Sequence, residues 1–175
     1  MLSECLLLMI RSDMPWDQPY RPPRNIRLDP EIYARAGGVF FITIRAAKGT
    51  APFVDKALNT LVVDALRSES QSCGCIVLTY CLMPDHLHFL AGPREDGRSL
   101  LEFVSRFKGK TTNLSWRIGR HGRLWQSRFY DHAVRASEDL RDIAEYILQN
   151  PVRRGLVSRP DEWRWSGEMN PLPIQ

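Results

Sequence analysis

The sequence has no long apolar run and no phosphate-cradling loop of the Gly-x-x-x-x-Gly-Lys-Ser/Thr type. Its longest aliphatic stretch, residues 6–10, falls far short of the ~20 residues that a membrane span needs. That stretch also lacks the basic flank and the small-residue cleavage site of a secretory signal. We therefore expect no membrane association, no secretion and no nucleotide hydrolysis.

Cysteine is scarce, with four residues in the chain: Cys5, Cys73, Cys75 and Cys81. They lack the paired spacing of a zinc site, so small core residues are the simpler interpretation. Reduced thiols are typical of cytosolic proteins, and we expect the protein to be cytoplasmic.

Negative charge is absent from one long stretch. Between residues 103 and 130 there is no Asp or Glu, although the net charge of the whole chain is only +4. The stretch holds Arg106, Lys108, Lys110, Arg117, Arg120, Arg123 and Arg128. Charge of one sign indicates either a polyanion partner such as nucleic acid or an ordinary solvated helix face, and composition alone leaves both open.

The chain divides into an N-terminal arm, residues 1–30, and a domain, residues 31–175, that ends in a short tail. The arm contains five prolines, which remove backbone donors and disfavour helix. The whole chain has 43% hydrophobic and 25% charged residues, as globular proteins do, and its length suits one domain.

Hydrophobic periodicity predicts four strands and three helices. The strands are expected at residues 39–46, 75–83, 86–91 and 124–135, and the helices at 53–69, 100–120 and 138–150. Ser99 and Ser137 are the expected N-caps, and Pro151 is expected to end the third helix.

The resulting order is βαββαβα. Its first six elements match an α+β, ferredoxin-like (RRM-like) arrangement: a four-stranded antiparallel sheet with its helices on one face. RNA-binding modules share this arrangement, but their pattern of exposed aromatic residues on the central strands is missing here.

Two histidines, His86 and His88, lie two residues apart on the third predicted strand. Side chains alternate along a strand, so both imidazoles project from the same face and could form half of a divalent metal site. A structural role for either histidine is the alternative.

The third predicted helix carries Tyr146 and Asn150 at positions i and i+4, which share one helical face. A phenol can act as a nucleophile, and an amide oxygen can bind a hard metal ion. Alternatively, Tyr146 is a core aromatic and Asn150 caps the helix before Pro151.

Three stretches together resemble the HUH single-tyrosine transposases, and within them the REP-associated subgroup. They are residues 80–88 (YCLMPDHLH), 124–132 (LWQSRFYDH) and 146–157 (YILQNPVRRGLV). The resemblance implies that His86, His88 and Asn150 bind Mg²⁺ or Mn²⁺, and that Tyr146 is the nucleophile.

The resemblance also implies a single-stranded DNA endonuclease and strand transferase that forms a 5′-phosphotyrosine and recognises DNA hairpins. A monomer and a homodimer are both found in such families. The alternative function is a hairpin DNA- or RNA-binding module that has lost catalysis. The expected DNA-binding residues are Arg106, Lys108, Lys110, Arg120, Arg123, Arg153 and Arg154.

Overall fold

A computed structural model describes residues 28–173, so all but the last three residues of the predicted arm lie outside the described residues. Within these residues there are five strands and three α-helices. The strands are β1 (Phe40–Arg45), β2 (Cys75–Met83), β3 (His86–Pro93), β4 (Tyr130–Ala133) and β5 (Ser166–Glu168); the helices are α1 (Lys56–Ser72), α2 (Leu100–Arg117) and α3 (Leu140–Arg153). No helix among the described residues is long and apolar enough to cross a membrane.

The sheet is antiparallel, with the strand order β4-β1-β3-β2-β5. The predicted α+β class is confirmed, but the prediction of four strands is wrong. The fifth strand comes from the C-terminal tail, where Ser166 pairs with Cys81 at the free edge of β2. Its three residues, Ser-Gly-Glu, have no apolar alternation, so periodicity could not reveal it.

Helices cover both faces of the sheet. On one face α1 and α2 pack around Phe89, with Leu66 and Phe103 among the buried contacts. On the other face α3 places Ile143 and Ile147 against residues that include Phe41 and Leu90. The apolar positions of each helix recur at helical spacing, and one stripe of each is therefore buried.

Helix boundaries depend on capping side chains. Asp55 accepts hydrogen bonds from the first turn of α1, and Ser99 caps α2 as predicted. The cap of α3 is Asp139 rather than the predicted Ser137, because the Asp139 carboxylate accepts from the backbone N–H of Arg141 at 2.7 Å.

The predicted end of α3 at Asn150 is also wrong, since the helix continues through Pro151 to Arg153. Proline has no N–H, so the carbonyl of Ile147 loses its usual i+4 partner. The side chain of Asn150 donates to the carbonyls of Tyr146 at 2.9 Å and Ile147 at 3.4 Å. Asn150 thereby satisfies the carbonyl that proline would leave unpaired.

The fourth predicted strand is shorter than expected. Only Tyr130–Ala133 pairs with β1, between Phe40 and Thr43. Upstream of β4, Trp125 makes an isolated bridge to Ala46, and its indole lies buried between Phe53 and Phe107. The intervening residues are irregular, so the predicted strand is one bridge followed by one short strand.

Candidate active site

The two histidines lie side by side in the middle of the sheet. His86 and His88 are 5% and 9% exposed, and their ring centroids are 4.4 Å apart. They share a sheet face with Leu90, which packs against α3. The prediction that both rings project from one face is therefore consistent with the structure, and this face is the one that carries α3.

Each imidazole is held through its Nδ1 atom. His86 Nδ1 donates to the Asp85 carboxylate at 2.6 Å, and Thr43 Oγ1 on β1 lies 2.8 Å from His88 Nδ1. Hydrogen bonds of this kind orient the rings of metal-binding histidines and occupy Nδ1. The Nε2 atoms are therefore the ligand atoms that the pair can offer.

Burial, followed by the charges of His86 and Arg45, holds the pKa of His88 well below its ordinary value. His88 is therefore neutral at neutral pH, which leaves a ring lone pair for a cation. The hydrogen bond from His86 lowers the pKa of Asp85 to about 2, so this carboxylate stays an acceptor.

Cys81 lies beside His88 in the β2–β3 register, but it is not suited to a ligand role. Burial raises the pKa of its thiol to about 12, so the thiol stays protonated at neutral pH. The cysteines among the described residues are free and buried, as expected for small core side chains.

Tyr146 lies on the same side of the sheet, with Phe41 between it and His88. The Phe41 ring stacks on His88 with centroids 5.4 Å apart, and it meets Tyr146 edge-on at 6.1 Å. The guanidinium of Arg153 lies 4.5 Å from the centroid of the Tyr146 ring. The tyrosine is therefore packed on both sides, one helical turn from Asn150.

Asn150 is 8% exposed. Its Nδ2 atom is turned back along α3 to the carbonyls of the preceding turn. The amide oxygen lies on the opposite side of the same planar group, and oxygen is the atom that would bind a hard cation. The alternative role as a helix cap is wrong, because Arg154 is the C-cap.

Within residues 28–173 no three His, Cys, Asp or Glu side chains cluster closely enough to hold a metal ion. A third protein ligand beside the histidine pair would have to be of another type. An amide such as that of Asn150 fits this requirement, and two imidazoles with one oxygen ligand suit Mn²⁺ as well as Mg²⁺.

An open groove of about 500 Å³ lies at the β2–β3 turn, and neither histidine is among its lining residues. Asp85 and Arg154 supply its charged walls, while Met83, Pro84 and Leu156 supply apolar surface. Asp85 both lines the groove and contacts His86, so this carboxylate is the link between the groove and the histidine pair.

Four of the predicted DNA-binding cations are engaged within the protein. Arg106 and Lys110 bind the carboxylate of the buried Glu69 at 3.1 and 2.9 Å. Lys108 donates to the carbonyls of residues 126 and 127, and Arg120 pairs with Asp55 at 3.0 Å. The three on α2 lie across the sheet from the histidine pair.

The other three predicted cations, Arg123, Arg153 and Arg154, are exposed. Arg153 is the last residue of α3 and Arg154 is its C-cap, so both lie at the same end of the helix as Asn150. Thr43 and Phe41 could not be identified from the sequence, because their contact with His88 depends on strand register. Asp85, adjacent to His86, could have been found from its position as an orienting carboxylate.

Comparisons with known proteins identify the family of the chain. A family model described as "Transposase IS200 like" matches residues 43–150. The REP-associated tyrosine transposase of Escherichia coli (strain K12) is 31% identical over 138 residues, which cover 77% of this chain and 78% of that protein. A Haemophilus influenzae protein also named as a REP-associated tyrosine transposase is 26% identical over 140 residues, covering 74% and 79% of the two chains.

One solved structure, a REP-associated tyrosine transposase bound to a REP hairpin, matches with a TM-score of 0.69 and 22% identity. The match covers 82% of this chain and 81% of the other, and it shows that the two chains share a fold. The chain belongs to the IS200-like transposase family. Within that family it groups with the REP-associated tyrosine transposases, as the resemblance of its motifs indicated.

Proposed function

We propose that the protein is a metal-dependent single-stranded DNA endonuclease and strand transferase of the HUH type. The observation that carries the proposal is the oriented histidine pair on the sheet face that also bears Tyr146. Contacts with Asp85 and Thr43 hold both rings at Nδ1, an arrangement that suits two metal ligands.

Tyr146 is the proposed nucleophile. Its Oη atom forms a bond to the scissile phosphorus while the bond from phosphorus to the 3′ oxygen breaks. The phenol proton is lost and the departing oxygen is protonated, which gives a 5′-phosphotyrosine and a free 3′-OH. Because a phosphodiester is exchanged for a phosphodiester, a 3′-OH can later reseal the strand without a nucleotide cofactor.

The ordinary phenol pKa is about 10, so only about one phenol in a thousand is ionised at neutral pH. The residues that would hold a cation are His86 and His88 through Nε2 and Asn150 through its amide oxygen. Bound there, Mg²⁺ or Mn²⁺ would polarise the scissile phosphate and stabilise the departing oxygen. Arg153 and Arg154 are the residues proposed to bind neighbouring phosphates.

The proposed substrate is repeat DNA that folds into a hairpin. Relatives of this chain are named REP-associated tyrosine transposases, and a protein of the same fold was solved with a REP hairpin. The excess of positive charge suits a polyanionic partner. We propose a cytoplasmic protein that acts as a monomer or a homodimer.

The test is a covalent adduct. The protein is incubated with labelled single-stranded hairpin repeats and Mn²⁺, then denatured and separated by electrophoresis. We expect a DNA-linked band for the natural chain and none for Tyr146→Phe, which lacks the nucleophilic oxygen but keeps the ring. Tyr130→Phe, altered at the neighbouring strand tyrosine, is the control and should keep the band.

An adduct that survives in Tyr146→Phe would contradict the assignment of the nucleophile. A natural chain that binds hairpins tightly but forms no adduct with either metal would favour the alternative function, a binding module without catalysis.

A further inference from the structure

The structure divides the basic stretch into engaged and unengaged cations. Arg106, Lys108, Lys110 and Arg120 each bind a carboxylate or a carbonyl. In the part of the chain that the structure describes, no side-chain hydrogen bond or ion pair engages Arg117 or Arg123, and both are exposed. Unengaged cations are concentrated in residues 116–123, which we call the basic loop.

The basic loop has a defined shape. Gly119 and Gly122 have φ angles of +82° and +94°, which favour glycine, and they turn the chain back toward the end of α2. The indole N–H of Trp116 donates to the carbonyl of Gly122 at 2.7 Å. This bond holds the indole by its edge while 46% of the residue remains exposed.

An exposed, immobilised aromatic ring among unengaged cations is a combination that binds nucleic acid. The ring can stack on a base, and guanidinium groups can bind phosphates. Ile118, two residues further along, is also exposed, at 41%.

The basic loop is linked to the candidate active site by a short segment, residues 46–55. Ala46 N–H donates to the carbonyl of Asp85, and Ala47 N–H donates to the carbonyl of Leu124, the residue that follows the loop. Farther along, Arg120 pairs with Asp55. The β2–β3 turn and the basic loop therefore contact the same segment, and the groove wall at residues 49–51 belongs to it.

We propose that the basic loop binds the base-paired stem of the hairpin, with Arg117 and Arg123 on phosphates and Trp116 stacked on a base at one end of the stem. The unpaired strand then passes along the groove to the histidine pair and Tyr146. This inference rests on the proposed function, since it assigns the paired and unpaired parts of that substrate to separate surfaces.

The test compares two labelled DNAs by fluorescence anisotropy: a hairpin repeat with an unpaired flank, and the unpaired flank alone. Trp116→Ala should weaken hairpin binding about tenfold, as expected for loss of one stacking contact. The double variant Arg117→Gln/Arg123→Gln should weaken it as well, and should lower the slope of log affinity against log salt by about 2. Binding of the unpaired flank should stay within about twofold of the natural chain.

Two further variants serve as controls. Arg67→Gln removes an exposed cation from α1, far along the chain from the loop, and should leave both affinities unchanged. Trp116→Phe keeps a stacking ring but loses the bond to Gly122, and should fall between the natural chain and Trp116→Ala. Thermal unfolding of each variant, expected within a few degrees of the natural chain, shows that the fold is kept.

Equal weakening for both DNAs, or no weakening for the hairpin, would overturn the inference. Adduct formation on the unpaired flank reports the proposed function separately. If adducts form while Trp116→Ala binds hairpins normally, the assignment of the basic loop fails and the proposed function stands. If hairpin binding depends on the loop but no adduct ever forms, catalysis fails and the loop assignment stands.

Discussion

At the scale of single residues, the candidate site depends on the side chains that hydrogen-bond to its two histidines. The Thr43 hydroxyl lies 2.8 Å from Nδ1 of His88, a residue of which only 9% is exposed. Without that contact the buried ring would have an unsatisfied nitrogen and a less fixed orientation. Thr43 therefore acts through His88 rather than on the substrate.

We predict that Thr43→Val lowers Mn²⁺ affinity about 10- to 100-fold, the usual cost of losing such a partner. Valine has nearly the shape of threonine and suits a strand, so the fold should be kept. Isothermal titration with Mn²⁺ measures the effect. Thr60→Val, altered at an exposed hydroxyl on α1, is the control and should bind normally; equal affinities of all three proteins would remove Thr43 from the site.

At the scale of elements, Asn150 of α3 has two roles. It supports the end of the helix, and it is the proposed third metal ligand. The helix carries a proline in its last turn, and Asn150 donates to the carbonyls of Tyr146 and Ile147. The same hydrogen bonds keep the turn that positions Tyr146 helical. Helical periodicity could predict that Tyr146 and Asn150 share a face. The hydrogen bonds by which Asn150 compensates for the proline could not be predicted, because a proline normally ends a helix.

We predict that Asn150→Ala lowers the free energy of unfolding by about 1–2 kcal/mol, because buried carbonyls lose their donor. In a Pro151→Ala background the cost should be smaller by at least about 0.5 kcal/mol, since an alanine in place of the proline restores an N–H for the carbonyl of Ile147. Urea unfolding of the natural chain, both single variants and the double variant measures the coupling. Additive costs would show that Asn150 does not compensate for the proline.

At the scale of the whole molecule, the site joins parts of the chain that lie far apart in sequence. β1 brings Thr43 and Phe41 to the histidines of β3, and α3 brings Tyr146 and Asn150 to the same face. The alternation of His86 and His88 could be predicted because it is local. The contact between Phe41 and His88 could not be predicted, because it depends on sheet register. The fifth strand could not be predicted either, because it is a short polar segment that pairs at the sheet edge.

The same long-range assembly predicts that metal binding and folding are coupled. The proposed ligands come together only in the folded chain, so Mn²⁺ should stabilise it by RT ln(1 + [L]/Kd), about 2.7 kcal/mol at a hundredfold excess over Kd. Thermal unfolding should therefore shift upward with added Mn²⁺ and return on chelation. His86→Ala should unfold at the same temperature with and without the ion, since it lacks one of the paired ligands. Arg67→Gln, far from the site, should keep the full shift; an equal shift in His86→Ala would mean that the ion binds elsewhere.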